Sequence, residues 1–171
     1  MLIEHIKGNI RDGYFKNMTV DKVSIEWYDS KKKIHRLLSD KGRDIAVRLS
    51  AEEQSRGLCQ GDVLAVFDGE AVTVDIIPSK CIIVSRVTKM EMITLCYETG
   101  NRHSPFYYVP DSENFLIPYD HPFEELLHKL NIHFAVENRR LDDRQRICAS
   151  AGHNHVHVPV SHAHATESEH E

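Results

Sequence analysis

Around Pro78-Ser79 the spacing of apolar residues changes from the two-residue alternation of strands to a mixture of strand and helix, and this change divides the chain. Before it, short strand-like runs are predicted at Val23 to Tyr28, Ile34 to Leu38, Asp44 to Leu49, Asp62 to Phe67 and Ala71 to Ile77. Turn chemistry separates them at Asp29-Ser30, Lys41-Gly42, Gly61 and Asp68-Gly69. The last dipeptide is a hairpin signal, because both of its residues accept positive φ between two apolar runs. Residues 1–77 therefore read as an all-β domain.

After the change, Cys81 to Val87 is a continuous apolar strand, and Met90, Ile93, Cys96 and Tyr97 recur at helical spacing within Thr88 to Thr99. Thr88 with Glu91 three residues on is a capping box, and Gly100 stands where a helix closes in the left-handed conformation. Strands are predicted at Phe106 to Val109 and Asn114 to Ile117, joined by a turn of Pro110, Asp111 and Ser112. A second helix begins after Asp120, with Pro122 in its first turn, Phe123, Leu126, Leu127 and Leu130 on one face, and Asn131 to close it. His133 to Leu141 returns as a last strand. The order β-α-β-β-α-β is the split βαβ, ferredoxin-like plan, so residues 78–148 form a second domain in a chain of class α+β.

Residues 149–171 hold no Lys or Arg and few large apolar side chains. Such a segment cannot bury enough surface to offset its ordering entropy, and a disordered, His-rich tail is expected. Six of the twelve histidines fall in the last nineteen residues. In an extended segment His153, His155 and His157 project to one side together, as do His162 and His164. Imidazole suits Ni2+, Cu2+ and Zn2+, whereas Mg2+ and Ca2+ demand oxygen ligands, so the tail favours late first-row metals without choosing among them. An incidentally His-enriched polar extension is the duller reading, and a purification tag would be an unbroken run.

Composition removes several other classes. A formal charge of −5 and scattered basic residues give no attraction for phosphate backbones, so no nucleic-acid partner is expected. The Lys31 to Lys33 triplet reads as a solvated hairpin turn. No run approaches the roughly 18 apolar residues of a membrane span, and the first residues lack a secretory pattern, so no membrane partner and a cytoplasmic location are expected. Cys59, Cys81, Cys96 and Cys148 form no zinc-finger spacing and read as buried small hydrophobes, with Cys148 near enough to the tail to touch metal.

The run Gly100-Asn101-Arg102-His103, closing a helix in a ferredoxin-like domain ahead of a His-rich tail, resembles the signature of the UreE family of urease accessory proteins. Val23 to Trp27 and Gly61-Asp62-Val63-Leu64 fit the same family, and the resemblance covers essentially the whole chain. It implies a nickel metallochaperone: a homodimer in which His103 from each copy faces its mate and one Ni2+ is shared. Tail histidines complete the ligand sphere, with His153 and His155 in a Gly-His-Asn-His element and His157 next. An isologous contact turns one histidine per chain into two ligands, which makes the arrangement physically sound. The implied partners are the urease apoprotein and urease accessory proteins including the GTPase. The implied cargo is Ni2+, with Zn2+ or Cu2+ able to occupy the same site.

Where some members carry a His-x-His pair before the last helix, this chain has Tyr119-Asp120-His121, which leaves His121 between a ligand and a first-turn residue. His5, His35, His128 and His133 read as surface or helix-end residues. Catalysis is not expected, because a metal hydrolase needs preorganised ligands and a general base, and the chain offers no HExxH, paired carboxylates or Ser-His-Asp set. The competing binding reading is nickel or zinc storage, in which the tail alone matters.

Overall fold

The turn residues of the first half do separate strands, but those strands join two sheets and some of the pairs are parallel. In chain order the strands of the structure, a computed structural model that describes residues 2–147, are β1 (Leu2–Ile3), β2 (Gly8–Asn9), β3 (Thr19–Ile25), β4 (Ile34–Leu38), β5 (Asp44–Arg48), β6 (Asp62–Phe67), β7 (Glu70–Ile76), β8 (Ser79–Ser85), β9 (Phe106–Tyr108), β10 (Asn114–Pro118), β11 (Phe134–Arg139) and β12 (Arg146–Ile147). The helices are α1 (Ala51–Arg56), α2 (Lys89–Asn101) and α3 (His121–Lys129). Cys148 and the tail with His153, His155 and His157 lie outside the described residues.

The N-terminal domain packs the sheet β1-β5-β4 against the sheet β2-β6-β7-β3. Ile3, Ile45 and Val47 from the first meet Val23, Leu64, Val72 and Val74 from the second in one buried cluster. The β6–β7 hairpin turns at Asp68 and Gly69, whose φ of 47° and 80° are the two positive values that a type I′ turn requires. The expected strand from Val23 to Tyr28 instead runs from Thr19 to Ile25, and Trp27–Asp29 coils into a 3-10 turn. That turn lifts Trp27 out of the sheet and packs it against the apolar clusters of both domains. The Lys31 to Lys33 triplet follows it and is not a hairpin, because β3 pairs in parallel with β7 while β4 pairs with β5. The helix α1 was not foreseen, although Ser50 and Glu53 form a full capping box at its start.

In the C-terminal domain the sheet order is β11-β8-β10-β9-β12, every pairing antiparallel. Its first four strands have the order that the split βαβ plan requires. The central strand β8 is buried on both faces, which is why it reads as an unbroken apolar run. Ile82 and Val84 face the helices with Leu95, Phe123 and Leu127, and Cys81 and Ile83 face the other way with Tyr107, Leu116 and Leu141. The segment after β11 returns to the first domain. Arg140 Nε donates to the Ile76 carbonyl (2.9 Å), Arg144 Nη2 to the Gln60 carbonyl (3.0 Å), and Ser30 Oγ to Asp143 Oδ2 (2.6 Å).

His35 departs from its expected surface role. It is 6% exposed on β4, and its Nε2 has no hydrogen-bond partner among the described residues. Burial pushes its pKa below the usual 6.5, and a hydrogen bond to the Lys32 backbone only partly opposes that. The folded state therefore favours the neutral ring while the unfolded chain binds the proton, so the stability His35 contributes is complete above about pH 6.5 and lost as pH falls below it. Asp21, Glu53 and Asp142, whose pKa values are lowered by hydrogen bonds that outweigh their burial, lose their contributions only at lower pH, beneath their ordinary values of 3.8 to 4.5. Thermal melts should show a decline in Tm between about pH 7 and pH 5 that His35→Leu largely removes. An unchanged slope in that variant would assign the decline to other groups.

Candidate functional site

The start of α2 is fixed by the predicted capping box: Thr88 Oγ1 accepts from the Glu91 N–H (3.3 Å), and Glu91 Oε2 accepts from the Thr88 N–H (2.6 Å). Its end differs from the expectation. Gly100 does not close the helix, since α2 continues to Asn101 and Gly100 keeps a right-handed backbone inside it. The residue that turns left-handed is His103 itself, with φ of 51°. Its N–H donates to the Gly100 carbonyl (3.0 Å) and the Ser104 N–H to the Thr99 carbonyl (3.1 Å), the paired bonds of a Schellman motif.

A histidine therefore occupies the position at which helices most often place glycine. α3 closes by the same motif at Asn131, φ 55°, where the N–H groups of Asn131 and Ile132 reach the carbonyls of His128 and Leu127. Asparagine and histidine enter that conformation more often than most residues, yet any residue with a Cβ does so at a cost of about 1–2 kcal/mol that glycine escapes.

The apolar stripe of α2 also faces an unexpected way. Leu95 and Thr99 are the buried residues, whereas Met90, Ile93 and Tyr97 are 69%, 53% and 66% exposed and Cys96 is exposed beside them. Cys59 and Cys81 are buried as expected, so Cys96 is the correction among the three described cysteines. The stripe runs along the helix to Gly100 and to the exposed His103.

On its other side His103 lies close to the place where the chain leaves the described structure. β12 pairs antiparallel with β9, Arg146 opposite Tyr107 and Ile147 opposite Phe106, and His103 is three residues before Phe106. The described residues end at Ile147. Six residues, enough to reach His153, span up to about 20 Å. The strand β12 was not predicted, since two residues carry no periodicity.

Among the described residues no three His, Cys, Asp or Glu side chains gather closely enough to hold a metal ion. His121 is the first residue of α3 and stands 3.4 Å from Glu124 and 3.7 Å from Glu125, an arrangement typical of a first helical turn. His128 packs edge-on against Phe134, and His5 and His133 are exposed. Two surface depressions of ≈ 190 and ≈ 360 Å³ are lined by residues such as Arg139 and Arg140, and Arg56 and Asp62, and neither contains a histidine. The candidate centre is therefore an exposed helix end and not a cavity.

Comparison with known proteins identifies relatives along the whole chain. The family model described as UreE urease accessory protein, N-terminal domain, matches residues 3–76, and the one described as UreE urease accessory protein, C-terminal domain, matches residues 79–171. The chain is 36% identical over 154 residues to the urease accessory protein UreE of Helicobacter acinonychis (strain Sheeba), covering 90% of each chain. The same figures hold for that of Helicobacter pylori (strain G27), and for Helicobacter hepaticus the identity is 37% over 147 residues, 86% of this chain and 84% of the relative.

The helix end generates its own test. His103→Gly should keep the fold and raise the stability measured by urea unfolding by roughly 0.5–1 kcal/mol, because strain is relieved while the unfolded chain gains some freedom. His103→Ala keeps the strain and should gain nothing, so equal stabilities for the two variants would rule out strain at this position.

Proposed function

The chain belongs to the UreE family of urease accessory proteins, whose role is in urease maturation rather than catalysis, and from that premise we propose that it carries Ni2+ between two copies of itself and yields it to apo-urease. The observation that carries this reading is the position of His103. It follows an exposed apolar stripe on α2 and stands three residues before β9, the strand on which β12 is paired.

One imidazole cannot retain a divalent ion. A second copy docked along the α2 stripe supplies another His103 by symmetry, since an isologous contact sets a residue near its own mate. On this reading His153, His155 and His157 of the tails complete the sphere. Nitrogen donors suit Ni2+, and Zn2+ or Cu2+ can take the same place, so selectivity rests on geometry and supply. The Schellman bonds fix the backbone from which the imidazole projects, and the ring ligates only when neutral. No helix among the described residues is long and apolar enough to cross a membrane, and we place delivery in the cytoplasm, to apo-urease and the accessory proteins including the GTPase.

Two variants separate carriage from storage. Deleting residues 152–171 should lower nickel stoichiometry yet leave dimer-dependent binding, whereas His103→Gly or His103→Ala should abolish the shared site and impair urease activation. Storage in the tail predicts almost no effect of either His103 substitution. Calorimetric titration of the intact protein should show affinity falling steeply below about pH 6, as imidazoles of pKa near 6.5 take up protons. A flat profile from about pH 7.5 to 5 would remove histidine from the primary role.

A further inference from the structure

The last two strands are consecutive in the chain but lie at opposite edges of their sheet. In the order β11-β8-β10-β9-β12 they are four strand spacings apart, up to about 19 Å. The seven Cα steps from Arg139 to Arg146 reach at most about 25 Å, so residues 140–145 form a strap with little slack. The strap crosses the sheet face opposite the helices, where Leu141 is buried with Ile83, Tyr107 and Leu116 next to Trp27.

The other domain fixes the course of the strap. Beside the bonds of Arg140 and Arg144 to the Ile76 and Gln60 carbonyls, Asp143 sets its carboxylate into the N-terminal domain with the side chain 6% exposed. There it accepts from Ser30 Oγ (2.6 Å), a buried residue 113 positions away. Gly57 makes the room: its φ is 81°, and a Cβ on it would stand 2.8 Å from the same carboxylate oxygen. Asp143 Oδ1 lies 3.8 Å from Nη1 of Arg146, the residue that opens β12 opposite Tyr107. One buried carboxylate thus joins a serine of the first domain to the strand from which the tail departs. Apolar packing holds surfaces together at less desolvation cost, and the best use of a buried charge is to fix one arrangement among several.

We propose that Asp143 is a positioning residue for nickel: bridging Ser30 and Arg146, it holds the root of the tail at the β9 edge, so that the N-terminal domain sets how well the tail histidines serve the site at His103. This rests on the carrier reading above, and the contact itself contains no metal ligand. With β12 in place the tail starts from Ile147, opposite Phe106, and His153 follows six residues later. With the strap released the last fixed residue is Arg139, at the other edge of the sheet and fourteen residues from His153. The local concentration of a tethered donor falls as about the −3/2 power of tether length, so release should lower nickel affinity about threefold to fourfold for each tail that donates, and about tenfold for two. A partner that parts the two domains weakens the site without touching a ligand.

The test uses the chain with and without residues 152–171. Asp143→Ala and Ser30→Ala, from opposite sides of the contact, should each lower nickel affinity in calorimetric titration by about threefold to tenfold in the full chain and cause no further change in the truncated one. The double substitution should do no more than either alone, since both remove one bond. Without metal, hydrogen exchange in β12 should quicken in both variants while β8 keeps its protection. A loss that persists undiminished in the truncated chain shows an effect on the fold at large and overturns the proposal, as does wild-type affinity in both full-length variants, or wild-type exchange in β12. Should Asp143→Ala not fold, Ser30→Ala, which removes a single hydroxyl, decides alone. If the truncation leaves the nickel affinity of the wild-type chain unchanged, the tail's part in the carrier reading fails, whereas a truncation that weakens binding beside variants that do not overturns only the role of Asp143.

Discussion

The double-sided burial of β8 is the constraint on which the rest of the molecule depends. Ile82 and Val84 hold the helices against one face, and Cys81 and Ile83 receive Tyr107, Leu116 and Leu141 on the other, next to Trp27 from the first domain. Each such side chain contributes about 1.5–3 kcal/mol when fully buried, so one strand carries a large share of a domain's net stability. It also sets position. α2 follows it after a short link, β10 and β11 are registered on it, β9 is registered on β10, and β12 on β9. The exposed helix end and the exit point of the chain are thus indexed to the same seven residues.

Features set by local chemistry were legible in the sequence. Asp68-Gly69 makes its type I′ turn, Thr88 and Glu91 cap α2, Asp120 accepts from the Phe123 N–H at the start of α3, and Asn131 closes it, because each needs only a few neighbouring residues. The βαββαβ order followed from those marks. What needed the fold could not be read. β1, β2 and β12 are two residues each and exist only through their partners, and the parallel pairing of β3 with β7 joins residues about fifty positions apart.

Two misreadings share a cause. Periodicity locates a stripe but not the side on which the core lies. On α2 the more apolar stripe, Met90, Ile93 and Tyr97, faces outward while Leu95 and Thr99 face the sheet. On β4 the same inversion places Ile34 and Leu38 outside and His35 within. In both elements an ordinary hydrophobicity argument selects the wrong face. For α2 that outcome is informative, since a large apolar side chain left at the surface beside a candidate ligand marks an interface more readily than a core. His103 was identified by motif resemblance; its left-handed backbone belongs to the three-dimensional closure of the helix and has no signature in a string where Gly100 offers the better-looking stop.

The energetics of the proposed centre follow from its division among three sources. A ligand set drawn from one strained residue, its symmetry mate and the end of the chain cannot be preassembled in a single copy, so metal affinity includes the free energy of bringing the copies together. Linkage makes that relation reciprocal: whatever tightens the ion tightens the dimer by the same factor, and whatever separates the copies loosens the ion. A carrier gains from this in a way that a store does not. An acceptor protein that competes for the α2 stripe, or draws off the tail, removes donors stepwise and lowers affinity without having to outbind the complete site. Loading is favoured by a separate feature: the two Schellman bonds hold the backbone from which the His103 ring projects, so binding requires no rearrangement of the helix end.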